Sequence, residues 1–103
     1  MKLLIFFQLI VTFLTGCTQG KDYHPNFTRD VAPIIYTNCT PCHRPNGAGP
    51  FPLISYKDVA NRAHQIAQVT SSRYMPPWLP SIGYSAFVGE RLLTEDEITT
   101  LNK

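Results

Sequence analysis

A five-residue motif constrains this chain of 103 residues more than any other feature of its sequence. Cys39 and Cys42 are separated by two residues, and His43 directly follows the second cysteine. This spacing places two thiols about one helical turn apart on one side of the backbone, with an imidazole beside them. Two such thiols can add across the two vinyl groups of one porphyrin while the imidazole binds its iron. The motif is therefore typical of covalent haem c attachment.

Three other roles for the cysteine pair stay open at this point. A structural zinc site needs four protein ligands, but the other histidines, His24 and His64, are not at zinc-finger spacing. A thioredoxin-like dithiol would follow a β-strand, whereas residues 31–38 have a helical pattern. A plain disulfide suits an exported protein but gives His43 no role. The sequence favours haem over all three.

The first sixteen residues have the features of an export signal. Lys2 supplies a positive charge, and the apolar stretch Leu3–Leu14 is short for a membrane span. The following sequence LTGC resembles the bacterial lipobox, in which the cysteine becomes the lipidated N-terminus. We therefore predict a lipoprotein signal peptide over 1–16 and lipidation of Cys17. The protein is then an exported, membrane-anchored lipoprotein on the periplasmic side of the bacterial cell envelope. A non-lipidated signal peptide and an uncleaved anchor helix are the alternatives.

The rest of the chain is long enough for one small domain. Residues 17–26 are polar and rich in turn formers, which predicts a tether, and residues 27–103 would form the domain. A domain of this size buries little apolar surface, and the whole chain has nine prolines and six glycines. A covalently held porphyrin would stabilise such a chain. Nine basic against seven acidic residues give no reason to expect nucleic-acid binding.

The periodicity of apolar residues predicts three helices and no strand. Val31, Ile34 and Ile35 share one helical face that leads into the cysteine motif. Pro33 is suited to the first turn of this helix, and Thr28 or Asp30 is the expected N-cap.

The second and third predicted helices have clear start signals. Prolines and glycines in Arg44–Pro52 indicate a loop, after which Ser55 and Asp58 form a capping-box pattern for the second helix. Thr94 and Glu97 form a complete capping box for the third. We expect this closing helix to pack across the first one near Val31 and Ile34. Because it is barely two turns long, we expect the C-terminal helix to be truncated and the domain to be incomplete.

Taken together, these motifs resemble a bacterial class I c-type cytochrome domain over Phe27–Lys103. The resemblance rests on the order of Cys39–His43, Gly49-Pro50 and the Met75-Pro76-Pro77-Trp78 segment, followed by a closing helix. It implies an all-α, cytochrome c-like domain of about three helices, with long loops wrapped around a haem.

The resemblance also implies roles for two residues beyond the motif. The Pro50 carbonyl would accept a hydrogen bond from Nδ1 of His43, and the Met75 sulfur would be the sixth iron ligand. Met75 also follows from the sequence itself, since Met1 is the only other methionine and leaves with the signal peptide. A thioether is a suitable ligand for haem iron. His64 and an open sixth position are the alternatives.

Four further residues are expected near the haem. Phe51, Tyr74 and Trp78 should form walls of the pocket. Arg73 could pair with a haem propionate or lie free at the surface.

The sequence supports two functions. Iron with two protein ligands has no open position for a substrate, which favours an electron carrier that meets redox partner proteins beside the membrane. The alternative is the electron-input haem domain of a larger oxidoreductase, or a haem peroxidase with a labile sixth ligand. No constellation for acid–base catalysis stands out, because Glu95, Asp96 and Glu97 cluster at one helix start.

Overall fold

The computed structural model describes residues 22–78, 83–85 and 87–103. The predicted signal peptide 1–16 and Cys17 lie outside the described residues. The described part is a small helical domain without a β-strand. It consists of a π-helical turn Phe27–Val31 and the helices α1 Ala32–Asn38, α2 Tyr56–Ala60, α3 Ala63–Ser71 and α4 Glu95–Leu101. None of these helices combines the length and the apolar character that crossing a membrane requires.

The first helical segment begins earlier than its apolar pattern suggests. Asn26, rather than the expected Thr28 or Asp30, is its N-cap, since its side-chain oxygen accepts a hydrogen bond from the backbone N–H of Arg29 (3.2 Å). Asp30 instead reaches back and accepts from the N–H of Asn26 at 2.7 Å. The chain is thus capped before the π-helical turn, and Pro33 lies in the first turn of α1 as predicted.

The second predicted helix is divided into α2 and α3. The capping box of Ser55 and Asp58 is present, as predicted. The chain leaves helical geometry at Arg62, whose φ of −120° and ψ of 10° end the ladder of hydrogen bonds before α3 begins. The sequence pattern did not reveal this break, because Val59 and Ile66 remain on one buried face across it.

The core lies where α1, α2 and α3 meet the loop after the cysteine motif. Ile35, Leu53, Val59 and Ile66 form one buried cluster. Leu53 belongs to the loop, and its backbone is fixed from both sides. Its N–H donates to the His43 carbonyl at 2.8 Å, and its carbonyl accepts from the Thr40 hydroxyl at 2.9 Å. The cysteine motif is therefore attached directly to the core.

The closing helix α4 starts with the predicted capping box of Thr94 and Glu97. Its most extensive contact is with α3, where the Ser71 hydroxyl donates to the Asn102 side chain at 2.8 Å. It also meets the π-helical turn Phe27–Val31, and Leu101 packs against the core cluster. The expected contact with the first helical segment is therefore found at this turn, while the contact with α3 is more extensive.

Candidate functional site

The cysteine motif forms a compact turn at the end of α1. Cys39 is the C-cap of that helix, and its N–H donates to the Ile35 carbonyl at 2.8 Å. The Cys39 carbonyl then accepts from the N–H groups of Cys42 (3.1 Å) and His43 (2.9 Å). These bonds coil the backbone, so that both thiols and the imidazole line a common cavity.

Two glycines allow the following loop to fold closely over the motif. The N–H of Gly49 donates to the Cys42 carbonyl at 2.9 Å. A Cβ atom at Gly49 would lie 2.7 Å from Nδ1 of His43, and one at Gly47 would lie 2.2 Å from the Cys42 carbonyl oxygen. Both distances are far below van der Waals contact. Glycine is therefore required at both positions for the observed path of the loop.

The loop fixes the imidazole through Phe51, not through Pro50. Nδ1 of His43 lies 3.0 Å from the Phe51 carbonyl oxygen, so the prediction that Pro50 provides this acceptor was wrong by one residue. Two groups of the loop meet His43: the Phe51 carbonyl lies beside its imidazole, and the Leu53 N–H donates to its backbone carbonyl. Pro50 remains in the wall of the cavity.

This hydrogen bond determines the chemistry of the imidazole. A carbonyl oxygen can only accept, so Nδ1 carries the proton and Nε2 of a neutral His43 has a free lone pair. An imidazole held in this way is a stronger and better oriented metal ligand than a free one.

The cavity beside the motif has a volume of about 370 Å³, within the range of about 300–1,000 Å³ that small-molecule and cofactor sites occupy. The lining is mainly apolar. Besides Cys39, Cys42 and His43 it includes Phe51, Leu53, Ile66, Val69, Tyr74, Met75, Pro76 and Pro77. A flat, largely apolar cofactor could be buried against such a surface.

Met75 lines the same cavity as the motif. Its N–H donates to the Val69 carbonyl at 3.0 Å, which turns the chain back over the end of α3. The rival ligand His64 is exposed and is not among the described residues that line this cavity. Of the two candidates for the distal position, only Met75 is therefore placed with the two cysteines and His43.

The two thiols of the motif lie in different surroundings. Burial raises the pKa of Cys39 to about 11, and the nearby Cys42 adds to this shift. The attacking cysteine of a dithiol oxidoreductase has a lowered pKa instead. The environment of Cys39 thus argues against the dithiol interpretation. The sulfur of Cys42 accepts a hydrogen bond from the Arg91 guanidinium at 3.6 Å.

The expected pocket walls are found in part. Phe51 and Tyr74 line the cavity, whereas Trp78 borders a smaller neighbouring pocket of about 70 Å³ that also touches Met75. Arg73 is not among the described residues that line the large cavity. Its guanidinium donates to the Leu93 carbonyl at 3.2 Å and forms an ion pair with Glu95.

Two arginines that sequence reasoning missed lie at the site. Arg91 borders the cavity, 49 positions after Cys42, and no local pattern reveals that contact. The guanidinium carbon of Arg62 lies 3.6 Å from the centre of the Phe51 ring. Arg62 itself stands at the break between α2 and α3.

The donor set comprises two thiols, one imidazole nitrogen and one thioether. Among the described residues, no group of three or more His, Cys, Asp or Glu side chains is arranged to hold a metal ion. No protein-family model, curated protein or solved structure matches the chain. Function must therefore be inferred from the donor set and the cavity that it borders.

Proposed function

We propose that this chain binds haem c covalently and acts as an electron-transfer protein of the cytochrome c type. One observation carries the proposal: Cys39, Cys42, His43 and Met75 border one apolar cavity. This combination contains every protein group that covalent attachment and six-coordinate ligation of a haem require. The finer description of the fold, loops wrapped around a haem, is part of the same proposal.

Each residue has a defined task in this proposal. Cys39 and Cys42 would form one thioether each, in which the sulfur joins a vinyl carbon, the proton goes to the neighbouring carbon and no electron is exchanged. His43 would hold the iron through Nε2, because its Nδ1 proton is held by the Phe51 carbonyl. Met75 would hold the iron through its sulfur. The bound haem would supply a one-electron iron couple.

The ligands and the apolar surroundings would set the reduction potential of the bound iron. A methionine and a histidine as axial ligands favour a high reduction potential. Apolar walls such as Val69 and Ile66 limit contact with water, which disfavours the more highly charged ferric state. If His43 and Met75 both bound the iron, no position on it would remain free for a peroxide substrate. These features support electron transfer over a haem peroxidase.

Electron transfer also needs access for a partner protein. Tyr74, at the border of the cavity, keeps 70% of its surface exposed. We propose that redox partner proteins approach at this side. The proposed location at the cell envelope depends on the signal peptide and on lipidation of Cys17, which would tether the domain to the membrane.

A haem-staining experiment tests the proposal. The full chain is expressed in bacteria together with a periplasmic haem-attachment system and run on a denaturing gel. We expect a haem-positive band that disappears in the Cys39→Ser, Cys42→Ser double variant. The matched control is His64→Ala, which should stain like the wild type because His64 lies outside the cavity. A colourless wild-type protein under these conditions would refute haem attachment.

A further inference from the structure

Arg62 occupies a fixed position between two helices. Its N–H donates to the Val59 carbonyl at 3.0 Å, and its carbonyl accepts from the N–H of Ile66 at 2.8 Å. Its side chain lies over the Phe51 ring, with 3.6 Å between the guanidinium carbon and the ring centre. Cation–π contacts extend to about 6 Å, so this one is close. The ion pairs found among the described residues, at Arg29 and Arg73, do not involve Arg62.

Phe51 contacts His43 in two independent ways. Its ring centre lies 4.7 Å from that of the imidazole, with 36° between the ring planes. Its carbonyl oxygen lies 3.0 Å from Nδ1 of the same imidazole. Any movement of Phe51 therefore changes both the packing and the hydrogen bond of His43.

From these contacts we propose that Arg62 is a positioning residue for His43 and that it acts through Phe51. The guanidinium holds the Phe51 ring against the imidazole, and the ring in turn keeps the carbonyl oxygen aligned with the Nδ1 proton. Arg62 thereby sets the donor strength of the proximal ligand without touching it. This inference rests on the proposed function, in which His43 binds the haem iron.

The sequence around Arg62 does not predict such a role. Arg62 lies within the second predicted helix, at the point where the structure has the break between α2 and α3. Gln65 supports the arrangement, since its side-chain oxygen accepts from the guanidinium at 3.4 Å. One arginine thus connects the helix pair α2–α3 to the loop that carries Phe51.

Hydrogen exchange of the Nδ1 proton separates positioning from a simple charge effect. In the reduced, diamagnetic haem protein this proton can be followed by NMR. If Arg62 positions Phe51, Arg62→Met should accelerate its exchange by about tenfold, because the hydrogen bond opens more often. If Arg62 acted only through its charge, its loss would slow exchange, because base-catalysed exchange is favoured by a nearby positive charge. The two explanations predict opposite directions.

Further variants make the test specific. Arg62→Lys keeps the charge but loses the planar group, so it should also accelerate exchange. Its reduction potential should rise, because a weaker proximal donor stabilises the ferric state less. Lys57→Met is the control, since it removes one exposed positive charge from α2 and should leave both readings unchanged.

A double-mutant cycle tests whether Arg62 acts on His43 through the Phe51 ring. Phe51→Leu removes the ring and retains the backbone carbonyl. We expect Arg62→Met to have little additional effect on exchange in the Phe51→Leu background, because the two residues act as a unit. If Phe51→Leu does not fold, Phe51→Tyr, which keeps the ring, should preserve the full effect of Arg62→Met.

The outcomes distinguish this inference from the proposed function. A chain that takes up no haem would overturn both. A haem-loaded protein in which Arg62→Met and Arg62→Lys leave exchange and potential at wild-type values would overturn only the role of Arg62. Equal effects of Arg62→Met with and without the Phe51 ring would show that Arg62 does not act through Phe51.

Discussion

Two segments border the cavity, and they differ in how many hydrogen bonds and packing contacts fix them to the rest of the chain. The proximal loop, residues 39–53, carries the cysteines and His43. Its backbone is closed by hydrogen bonds from Gly49 to Cys42 and from Leu53 to His43, and Leu53 itself is buried in the core. The loop also passes so near the imidazole that a side chain at Gly49 would collide with it.

The distal segment, residues 72–78, has fewer constraints. The N–H of Met75 donates to the Val69 carbonyl, and the Arg73 side chain joins the segment to α4 through Leu93 and Glu95. The Met75 side chain is half-buried at the cavity border. A flexible thioether suits such a place, since methionine adapts to irregular surroundings.

The difference indicates a division of tasks. In the proposed function, the proximal loop would already be ordered for haem attachment and for the first iron ligand, whereas the distal segment could adjust Met75 around the bound haem. Changes in the proximal loop should therefore abolish haem binding, and changes in the distal segment should alter the properties of a haem that stays bound. Three experiments examine this contrast, in decreasing order of expected effect.

Gly49→Ala should have the largest effect. The added Cβ would lie 2.7 Å from Nδ1 of His43, so the loop or the imidazole must move. Overpacking of this kind costs about 1–3 kcal/mol of stability, and it also displaces the proximal ligand. We expect most of the haem signal on a denaturing gel and of the visible absorbance to be lost.

Gly89→Ala is the matched control for this substitution. Gly89 has a positive φ of 78°, but no atom of the neighbouring described residues lies within 4 Å of the position its Cβ would take. The variant should be strained by about 1 kcal/mol and should still bind haem. If Gly49→Ala binds haem as well as Gly89→Ala does, the proximal loop is less rigid than its contacts indicate.

Met75→Ala should leave haem attached and change its properties. The cysteines and His43 are untouched, so the haem stain should persist. Loss of the sulfur ligand should remove the weak absorption band of the ferric protein at the red end of the spectrum. The reduction potential should fall by on the order of 0.1 V, given the range over which axial ligands act.

His64→Ala serves as the control for the distal ligand. It should keep both the red band and the potential, because His64 is exposed and lies outside the cavity. If His64→Ala removes the band and Met75→Ala does not, the distal ligand has been assigned to the wrong residue. If Met75→Ala also prevents attachment, the two segments do not have separate tasks.

Sequence reasoning succeeded where the interactions are local. The capping boxes at Ser55 and Thr94 and the proline in the first turn of α1 involve residues within one helical turn of each other. Such short-range patterns can be recognised in one sequence. The helical class and the helix starts at Tyr56 and Glu95 were therefore predictable.

The missed features depend on contacts between distant residues or on small changes in backbone angles. The break at Arg62 leaves the apolar pattern intact, and the hydrogen bond of His43 shifts from Pro50 to Phe51 because of the direction in which one carbonyl points. Arg91 reaches Cys42 across 49 positions. No pattern in a single sequence records these contacts, because tertiary packing determines them.

The smallest expected effect is a loss of stability at low pH, caused by protonation of Asp58 just after the proximal loop. Hydrogen bonds from the Ser55 hydroxyl and from the N–H groups of Ile54 and Ser55 lower the pKa of the Asp58 carboxyl below its ordinary value. A carboxyl whose pKa is lower in the folded state stabilises the fold above its unfolded pKa of about 3.9. That contribution is lost as the pH falls through the folded-state value. The free energy of unfolding should therefore decrease in acid. The hydrogen bonds that are weakened lie between Leu53 and the start of α2.

Urea unfolding of Asp58→Asn and of the wild type at neutral and acidic pH measures this contribution. The variant should be less stable than the wild type at neutral pH, and the difference should narrow in acid, because the wild-type carboxyl is then protonated as well. Asp96→Asn is the control, since Asp96 lies in the first turn of α4, away from the proximal loop. The pH at which the red absorption band disappears can be compared with the pH at which the Asp58 contribution to stability disappears. If the band disappears at the higher pH, the distal segment is the less stable of the two, as its fewer contacts predict. If the Asp58 contribution disappears at the higher pH, the proximal loop is the less stable segment and the comparison made above is wrong.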